Sequence, residues 1–199
     1  GLRPISKLGG GTNSTGLTGY TPYEIASDNT DKIYHGQLVI PLASGYIDHT
    51  ANAAGGTVSH LGVFQGCQYV SSVNGKTIWS NYWPGSGADS NFPVQAFIND
   101  DPSQLYVIAT DASWTSKATA RASVFLNASL STGITGVDST GLSLGRLAIS
   151  TLATTNSLTL RVMGWTEDVA SEDFASAGIG AIVRLNNSFN APTGSIAAG

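Results

Sequence analysis

The chain has 199 residues, of which 41% are hydrophobic and only 11% are charged, and its formal net charge at pH 7 is −4. An average soluble domain carries about 25% charged residues, so Ser, Thr, Asn and Gly must cover much of this surface. The nine Lys and Arg residues are scattered, and we expect no nucleic-acid partner, because phosphate binding requires a basic stripe. The sequence also lacks a basic amphipathic helix and an apolar run of about 18 residues, so we expect no membrane partner.

The first 30 residues differ in composition from the rest. Residues 9–16 are a run of Gly, Thr, Asn and Ser with neither a strand period nor a helix period, which is typical of a flexible segment. We therefore predict an extended N-terminal arm at residues 1–30 and a single β domain at residues 31–199. The candidate partner-contact residues are the apolar and basic side chains of this arm: Leu2, Arg3, Ile5, Lys7 and Leu8.

Short apolar stretches follow one another after the arm, separated by turns rich in Gly, Asn and Pro. The predicted strands are residues 33–40, 61–70, 77–83, 94–98, 105–109, 118–126, 142–149, 157–162 and 179–185. Only residues 172–177, after Ser171 as a possible N-cap, favour a helix. A succession of strands without intervening helices predicts an all-β fold, a single jelly-roll-like β-sandwich or barrel of about nine strands.

Two local signals refine this prediction. Asn74-Gly75 predicts a two-residue type I′ turn between strands around Val70 and Ile78, because both residues tolerate positive φ. The leucines between positions 142 and 149 change phase at Gly145, which predicts a β-bulge that turns the second half of that strand.

One string in the sequence resembles a catalytic motif. Residues 141–145 read Gly-Leu-Ser-Leu-Gly and match the nucleophile elbow of α/β hydrolases, which requires a helix after the serine and a histidine later in the chain. The residues after Gly145 read as a strand, and His35, His49 and His60 all precede Ser143. We therefore predict that Ser143 is a strand residue and that the chain is not an enzyme.

The remaining reactive side chains do not form a recognisable cofactor or metal motif. The spacing of the histidines matches no zinc pattern, even with Asp48 included, and Asp100-Asp101 reads as an exposed turn. Gly-rich residues 9–11 lack the Lys and Ser/Thr of a phosphate-binding loop. We predict no cofactor and no metal, and we expect Cys67, the single cysteine, to be a small buried side chain.

An aromatic group beside the predicted hairpin has two interpretations. Its members are Trp79, Tyr82, Trp83 and Phe92. They could form a sugar-stacking platform or a protein hot spot, but core packing is favoured, because Trp79 and Trp83 would share one face of a strand. A carbohydrate-binding module should expose Trp79 or Trp83 beside a polar pocket, whereas core packing should bury both.

Several pieces of the chain between about residues 60 and 185 resemble a known family. The pieces are residues 62–69, residues 74–76 with Trp79, residues 82–84, residues 100–102 with Tyr106, and residues 183–186. They are similar to proteins encoded beside the major capsid protein in tailed phages, especially marine ones. The resemblance implies a protein on the outer surface of an HK97-type capsid that decorates or cements the shell by binding the major capsid protein. It implies no catalytic residues.

Two further expectations concern partners. We expect the protein to associate with itself as a closed ring, with a trimer favoured, because homo-oligomers favour closed symmetry and a capsid offers local symmetry axes. The alternative function is a carbohydrate- or receptor-binding β module of a virion fibre.

Overall fold

The computed structural model describes residues 1–8, 20–49, 59–131, 135–167 and 173–191. These ranges contain fifteen strands, one α-helix and one 3₁₀ helix at Ile149–Thr151. The elements are β1 (Arg3–Lys7), β2 (Thr21–Ile25), β3 (Leu38–Pro41), β4 (Ile47–His49), β5 (Gly62–Val70), β6 (Thr77–Ser80), β7 (Val94–Asn99), β8 (Gln104–Ala109), α1 (Lys117–Ser123), β9 (Asn127–Ala128), β10 (Leu130–Ser131), β11 (Gly136–Val137), β12 (Leu142–Ser143), β13 (Arg146–Leu147), β14 (Leu160–Trp165) and β15 (Gly180–Leu185).

The described strands form two large antiparallel sheets and two small ribbons. The first sheet has the order β1-β8-β15-β14-β9, and the second has the order β2-β7-β5-β3-β4, with β6 paired to the end of β5. The ribbons are β10-β13 and β11-β12. The end strands are β1 and β9 in the first sheet and β2 and β4 in the second. The two end strands of a sheet do not pair with each other, so both sheets are open. The predicted all-β fold is confirmed, and it is sandwich-like rather than a closed barrel.

Two hydrophobic clusters form the core. In the first sheet, β8, β14 and β15 bury alternate residues, among them Tyr106, Val162 and Val183, against Trp114 and the helix residue Ala120. The period of two along each strand gives this sheet one apolar face.

The second sheet contributes to both clusters near β3 and β5. Val63 belongs to the first cluster, and the next residue, Phe64, belongs to the second. Successive side chains on a strand point to opposite faces, so this part of the second sheet is covered on both sides. Farther along the same sheet, Trp79 and Gln95 are exposed, so part of one face remains open to solvent.

The chain passes from the second sheet to the first at a short corner, residues 100–103, between β7 and β8. Tyr106, fully buried on β8, lies with its hydroxyl 3.3 Å from the carbonyl oxygen of Asn99 and 3.2 Å from that residue's side-chain oxygen. Burial raises the pKa of the Tyr106 phenol above its ordinary value. The phenol therefore stays protonated and donates a hydrogen bond across the corner.

The two acids of the corner hold the two N-terminal strands. Asp100 accepts hydrogen bonds from the hydroxyls of Thr21 at 2.9 Å and Tyr23 at 2.8 Å, both on β2. Asp101 forms an ion pair of 2.6 Å with Lys7 on β1, and this contact holds the pKa of the Asp101 carboxyl below its usual value. The predicted turn is present, but its carboxylates are internal anchors.

In its described parts, the N-terminal segment is paired with the β domain, whereas the sequence predicted an extended arm separate from that domain. β1 pairs with β8, β2 pairs with β7, and Leu2 is 2% exposed within the first core cluster. The physical reason is that β7 and β8 each offer an edge for pairing, and composition alone does not reveal such an edge. Residues 9–19, which include the Gly-rich run, lie outside the described residues.

One predicted strand is wrong. Residues 118–126 were expected to be extended, but α1 occupies Lys117–Ser123. The hydroxyl oxygen of Ser116 accepts a hydrogen bond from the backbone N–H of Thr119 at 3.2 Å, which is an N-cap. Ala, Lys and Arg are strong helix formers, so the segment carried a helix signal that its apolar residues obscured.

Three other local predictions need correction. β5 and β6 do form a hairpin, but the connection spans residues 71–76, and within it only Gly75 has positive φ, at 67°. At Gly145 the chain does not bulge within one strand, because β12 pairs with β11 whereas β13 pairs with β10. Residues 173–177 form turns, and residues 171–172 of the predicted helix region lie outside the described residues.

Replacing Leu2 with Ala should lower the free energy of unfolding by about 2–5 kcal/mol, because it leaves a cavity in the first core cluster. Leu8→Ala is the matched control, since Leu8 is 44% exposed and its truncation should change stability by no more than about 0.5 kcal/mol. Urea denaturation of both variants measures the difference. Equal stability of the two would mean that Leu2 does not belong to the core.

Replacing Gly75 with Val should cost about 1–2 kcal/mol, because an L-residue with a Cβ resists the left-handed conformation. An ideal Cβ at Gly75 would meet no atom within 4 Å, so the cost comes from the backbone alone. Gly75→Asn should cost less, since Asn tolerates this region. Thermal melts of the two variants test the turn, and a wild-type melting temperature for Gly75→Val would contradict it.

Candidate binding surfaces

One face of the second sheet presents a row of side chains to solvent. Cross-strand pairing places Trp79 beside Gln68, Gln68 beside Gln95, and Gln95 beside Glu24. The alternate residues of these strands, among them Cys67 and Ala96, point to the buried side. We call the exposed surface the outer face, and it comprises Pro22, Glu24, Gln68, Trp79, Gln95 and Phe97.

The outer face is built around a pair of stacked rings. The rings of Trp79 and Phe97 are nearly parallel, with an interplanar angle of 4° and centroids 5.6 Å apart, and Trp79 is 69% exposed. Gly66 on β5 pairs with Phe97, and it has no side chain to separate the two rings. Its φ of 147° and the closeness of the Ser80 carbonyl oxygen, 2.9 Å from an ideal Cβ, both favour glycine here.

A shallow depression borders the outer face. It is lined by Gln68, Tyr69, Val70, Phe92, Pro93 and Gln95. Phe92 is 51% exposed there. The outer face therefore combines exposed aromatic rings with two side-chain amides, and Glu24 is its one charged residue.

Trp83 and Tyr82 lie elsewhere. Trp83 is fully buried, packs edge-on against Tyr69 with centroids 5.4 Å apart, and donates its indole N–H to the carbonyl oxygen of Asn29 at 3.2 Å. The prediction that Trp79 and Trp83 share one strand face is wrong, because β6 ends at Ser80. Trp79 is exposed beside polar side chains, as expected for a carbohydrate-binding module. Trp83 belongs to the core, as expected for core packing.

The free side of β1 is a second candidate surface. β1 is an end strand of the first sheet, and no described strand pairs with its other side. Arg3 is exposed, Ile5 is 38% exposed at an irregularity in the pairing, and Leu8 is 44% exposed. We call these three residues the N-terminal edge. The other two predicted contact residues are engaged internally, Leu2 in the core and Lys7 with Asp101.

Ser143 and His35 line one cavity, together with residues 1–3 and Leu142. The backbone N–H of Ser143 donates to the carbonyl oxygen of His35 at 3.0 Å, and the Ser143 hydroxyl oxygen accepts from the N–H of Gly145 at 3.1 Å. Nδ1 of His35 lies 2.9 Å from the carbonyl oxygen of Gln65 and donates to it. Sequence reasoning missed this proximity, because the parallel bridge between His35 and Leu142 joins distant parts of the chain.

Three potential metal ligands also come together. Ligand atoms of Asp31, Asp48 and His49 lie within 4.8 Å of one another. Nε2 of His49 is 3.9 Å from Asp31, and one Asp48 oxygen accepts the His49 backbone N–H at 2.7 Å. His60 is 2% exposed, and burial lowers the pKa of His60 to about 4. In the first group the Asp31 carboxylate is exposed and the His49 ring is largely buried. His60 is a neutral core residue at pH 7.

Cys67 is 1% exposed, and its thiol lies 3.4 Å from the carbonyl oxygen of Tyr82. Burial raises the pKa of Cys67 to about 12. The thiolate is the reactive form of cysteine, so this side chain is unreactive at neutral pH. The sequence prediction of a small buried side chain is confirmed.

Comparison with protein-family models, curated proteins and solved structures found no match for the chain. In the described ranges, no helix combines the length and the apolar character that crossing a bilayer requires.

Replacing Ser143 with Ala should leave binding unchanged and cost about 1–3 kcal/mol of stability, because the buried N–H of Gly145 loses the hydroxyl oxygen that accepts its hydrogen bond. Wild-type protein should not react with a fluorophosphonate probe. Mass spectrometry of the treated protein checks this, and a covalent adduct on Ser143 that the Ala variant lacks would identify a nucleophile.

Proposed function

We propose that the chain is a structural virion protein that decorates or cements a phage capsid by binding the major capsid protein on the outer surface of the shell. The resemblance of residues 60–185 motivates the proposal. The observation that carries it is the N-terminal edge: Ile5 on β1 and Leu8 just after it are exposed, and no described strand pairs with the outer side of β1.

A free strand side can bind an extended segment of a partner. The backbone N–H and C=O groups of such a strand add hydrogen bonds, and pockets for alternate side chains add specificity. Burying Ile5 and Leu8 contributes at most about 1.5–3 kcal/mol each. Pro4 lacks a backbone N–H, and a proline in an edge strand limits indiscriminate pairing between copies.

The N-terminal edge is also held in place before a partner arrives. Leu2 is anchored in the core at one end of β1, and Lys7 is anchored to Asp101 at the other. Ordering a flexible segment costs about 1–2 kcal/mol per residue, and β1 avoids that cost on binding. A preorganised strand therefore suits a protein that attaches to many equivalent sites.

The test is co-sedimentation of the purified protein with phage heads that lack it. The measured quantity is the molar ratio of bound protein to major capsid protein in the pellet. Wild type should bind at a fixed ratio, and the double variant Ile5→Asp/Leu8→Asp should bind at least about tenfold more weakly, since tenfold corresponds to only 1.4 kcal/mol. Val73→Asp is the matched control, because Val73 is 89% exposed in the β5–β6 loop, and it should bind as wild type.

Two results would contradict the proposal in different ways. No saturable binding of wild type to heads would reject the capsid function itself. Full binding of the double variant would keep the function and reject the N-terminal edge as the contact.

Native mass spectrometry of the free protein tests the expected trimer separately, and a strictly monomeric mass at all concentrations would exclude it.

A further inference from the structure

We propose that the outer face binds a neutral saccharide chain. This activity goes beyond capsid attachment and uses the second sheet, whereas the N-terminal edge belongs to the first. The occupant follows from three properties of the face: an exposed ring platform, amides beside it that have no hydrogen-bond partner in the described ranges, and the near absence of charge.

The ring platform suits the apolar face of a pyranose. Trp79 is 69% exposed and lies parallel to Phe97, so the indole is supported on one side and open along much of its surface. The axial C–H groups of a sugar ring form a flat apolar patch that packs against an aromatic face, which carries negative charge density. Phe97 holds the indole in place, so little side-chain freedom is lost when a sugar stacks on it.

The amides supply polar contacts beside the platform. Gln68 is the cross-strand neighbour of Trp79, and Gln95 is the cross-strand neighbour of Gln68. Neither side-chain amide has a hydrogen-bond partner among the described residues. Each amide offers one acceptor and two donor hydrogens, and sugar hydroxyls both donate and accept. Neighbouring strands lie about 4.8 Å apart, so polar groups recur along the row at a spacing comparable to one sugar ring.

The charge of the face selects the class of saccharide. The outer face contains no Lys or Arg, and Glu24 at the end of the row is its one charged residue. A sulfated or phosphorylated chain would meet no cation there and would be repelled by this carboxylate. A neutral chain avoids that repulsion, and its hydroxyls can donate to Glu24, since hydrogen bonds to an ionised acceptor are the stronger ones.

Isothermal titration calorimetry with cellohexaose, chitohexaose and laminarihexaose as separate probes tests the proposal. We expect saturable binding of at least one probe to wild type. Trp79→Ala should weaken that binding about tenfold or more, because it removes the aromatic surface on which the sugar ring packs. Trp79→Phe should retain part of the affinity, and Gln95→Ala should weaken binding without touching the rings.

Phe125→Ala is the matched control. Phe125 is 72% exposed, about as much as Trp79, but it does not lie on the outer face, and its truncation should leave saccharide affinity unchanged. Melting curves of all variants confirm that they fold.

The results of these titrations decide whether the outer face binds a saccharide. Absence of binding to all three probes would overturn the proposal, and so would binding that Trp79→Ala and Gln95→Ala leave intact. If Trp79→Ala abolishes attachment to heads while wild type binds no saccharide, the outer face is a protein contact and the proposal is wrong. Loss of saccharide binding with normal head attachment supports it, and the capsid function is judged separately by the Ile5 and Leu8 variants.

Discussion

The corner at residues 100–103 is the constraint on which the rest of the structure depends. Here the chain leaves the second sheet and enters the first, and the hydrogen bond from Tyr106 to Asn99 ties the two sides of the corner together. The flanking acids hold β2 through Tyr23 and β1 through Lys7. In the first sheet, β1 covers a side of β8, which would otherwise be an unpaired edge, and such edges favour aggregation. The short turn thus sets the position of the N-terminal strands in both sheets.

The positions of β1 and β2, which the corner holds, also determine the two proposed surfaces. Because β1 is the end strand of the first sheet, the unpaired strand side at that end belongs to β1, which carries Ile5 and is followed by Leu8. Because β2 pairs with β7, the row of cross-strand neighbours extends over four strands, from Trp79 to Glu24. The low charge of the sequence is consistent with both surfaces, since binding surfaces of this kind are depleted in charged residues at their centres.

Alternation of apolar and polar residues was sufficient to predict the all-β class and most of the larger strands. It failed at α1, where the apolar residues of a short helix fit a strand equally well and the cap at Ser116 was the better signal. It also failed for β1 and β2, because their pairing partners are 104 and 73 residues away, measured from Arg3 to Val107 and from Tyr23 to Ala96, and leave no trace in a local window. For the outer face, sequence identified Trp79, but not its exposure. That depends on where β6 ends and on the absence of a side chain at Gly66, and neither can be read from aromatic spacing alone.

The pairing of β1 with β8 also has a consequence for folding during synthesis. Arg3 pairs with Val107 and Tyr23 pairs with Ala96, so the first two strands leave the ribosome long before their partners exist. The delay is 104 residues for Arg3 and 73 residues for Tyr23, so at roughly 5–20 residues per second β1 stays unpaired for about 5–20 s and β2 for about 4–15 s. Contacts between such distant parts of the chain also slow folding once the partners are available. The polar and charged side chains of β1 and β2, among them Arg3, Lys7 and Glu24, keep these strands hydrated until the corner and its flanking strands have been made.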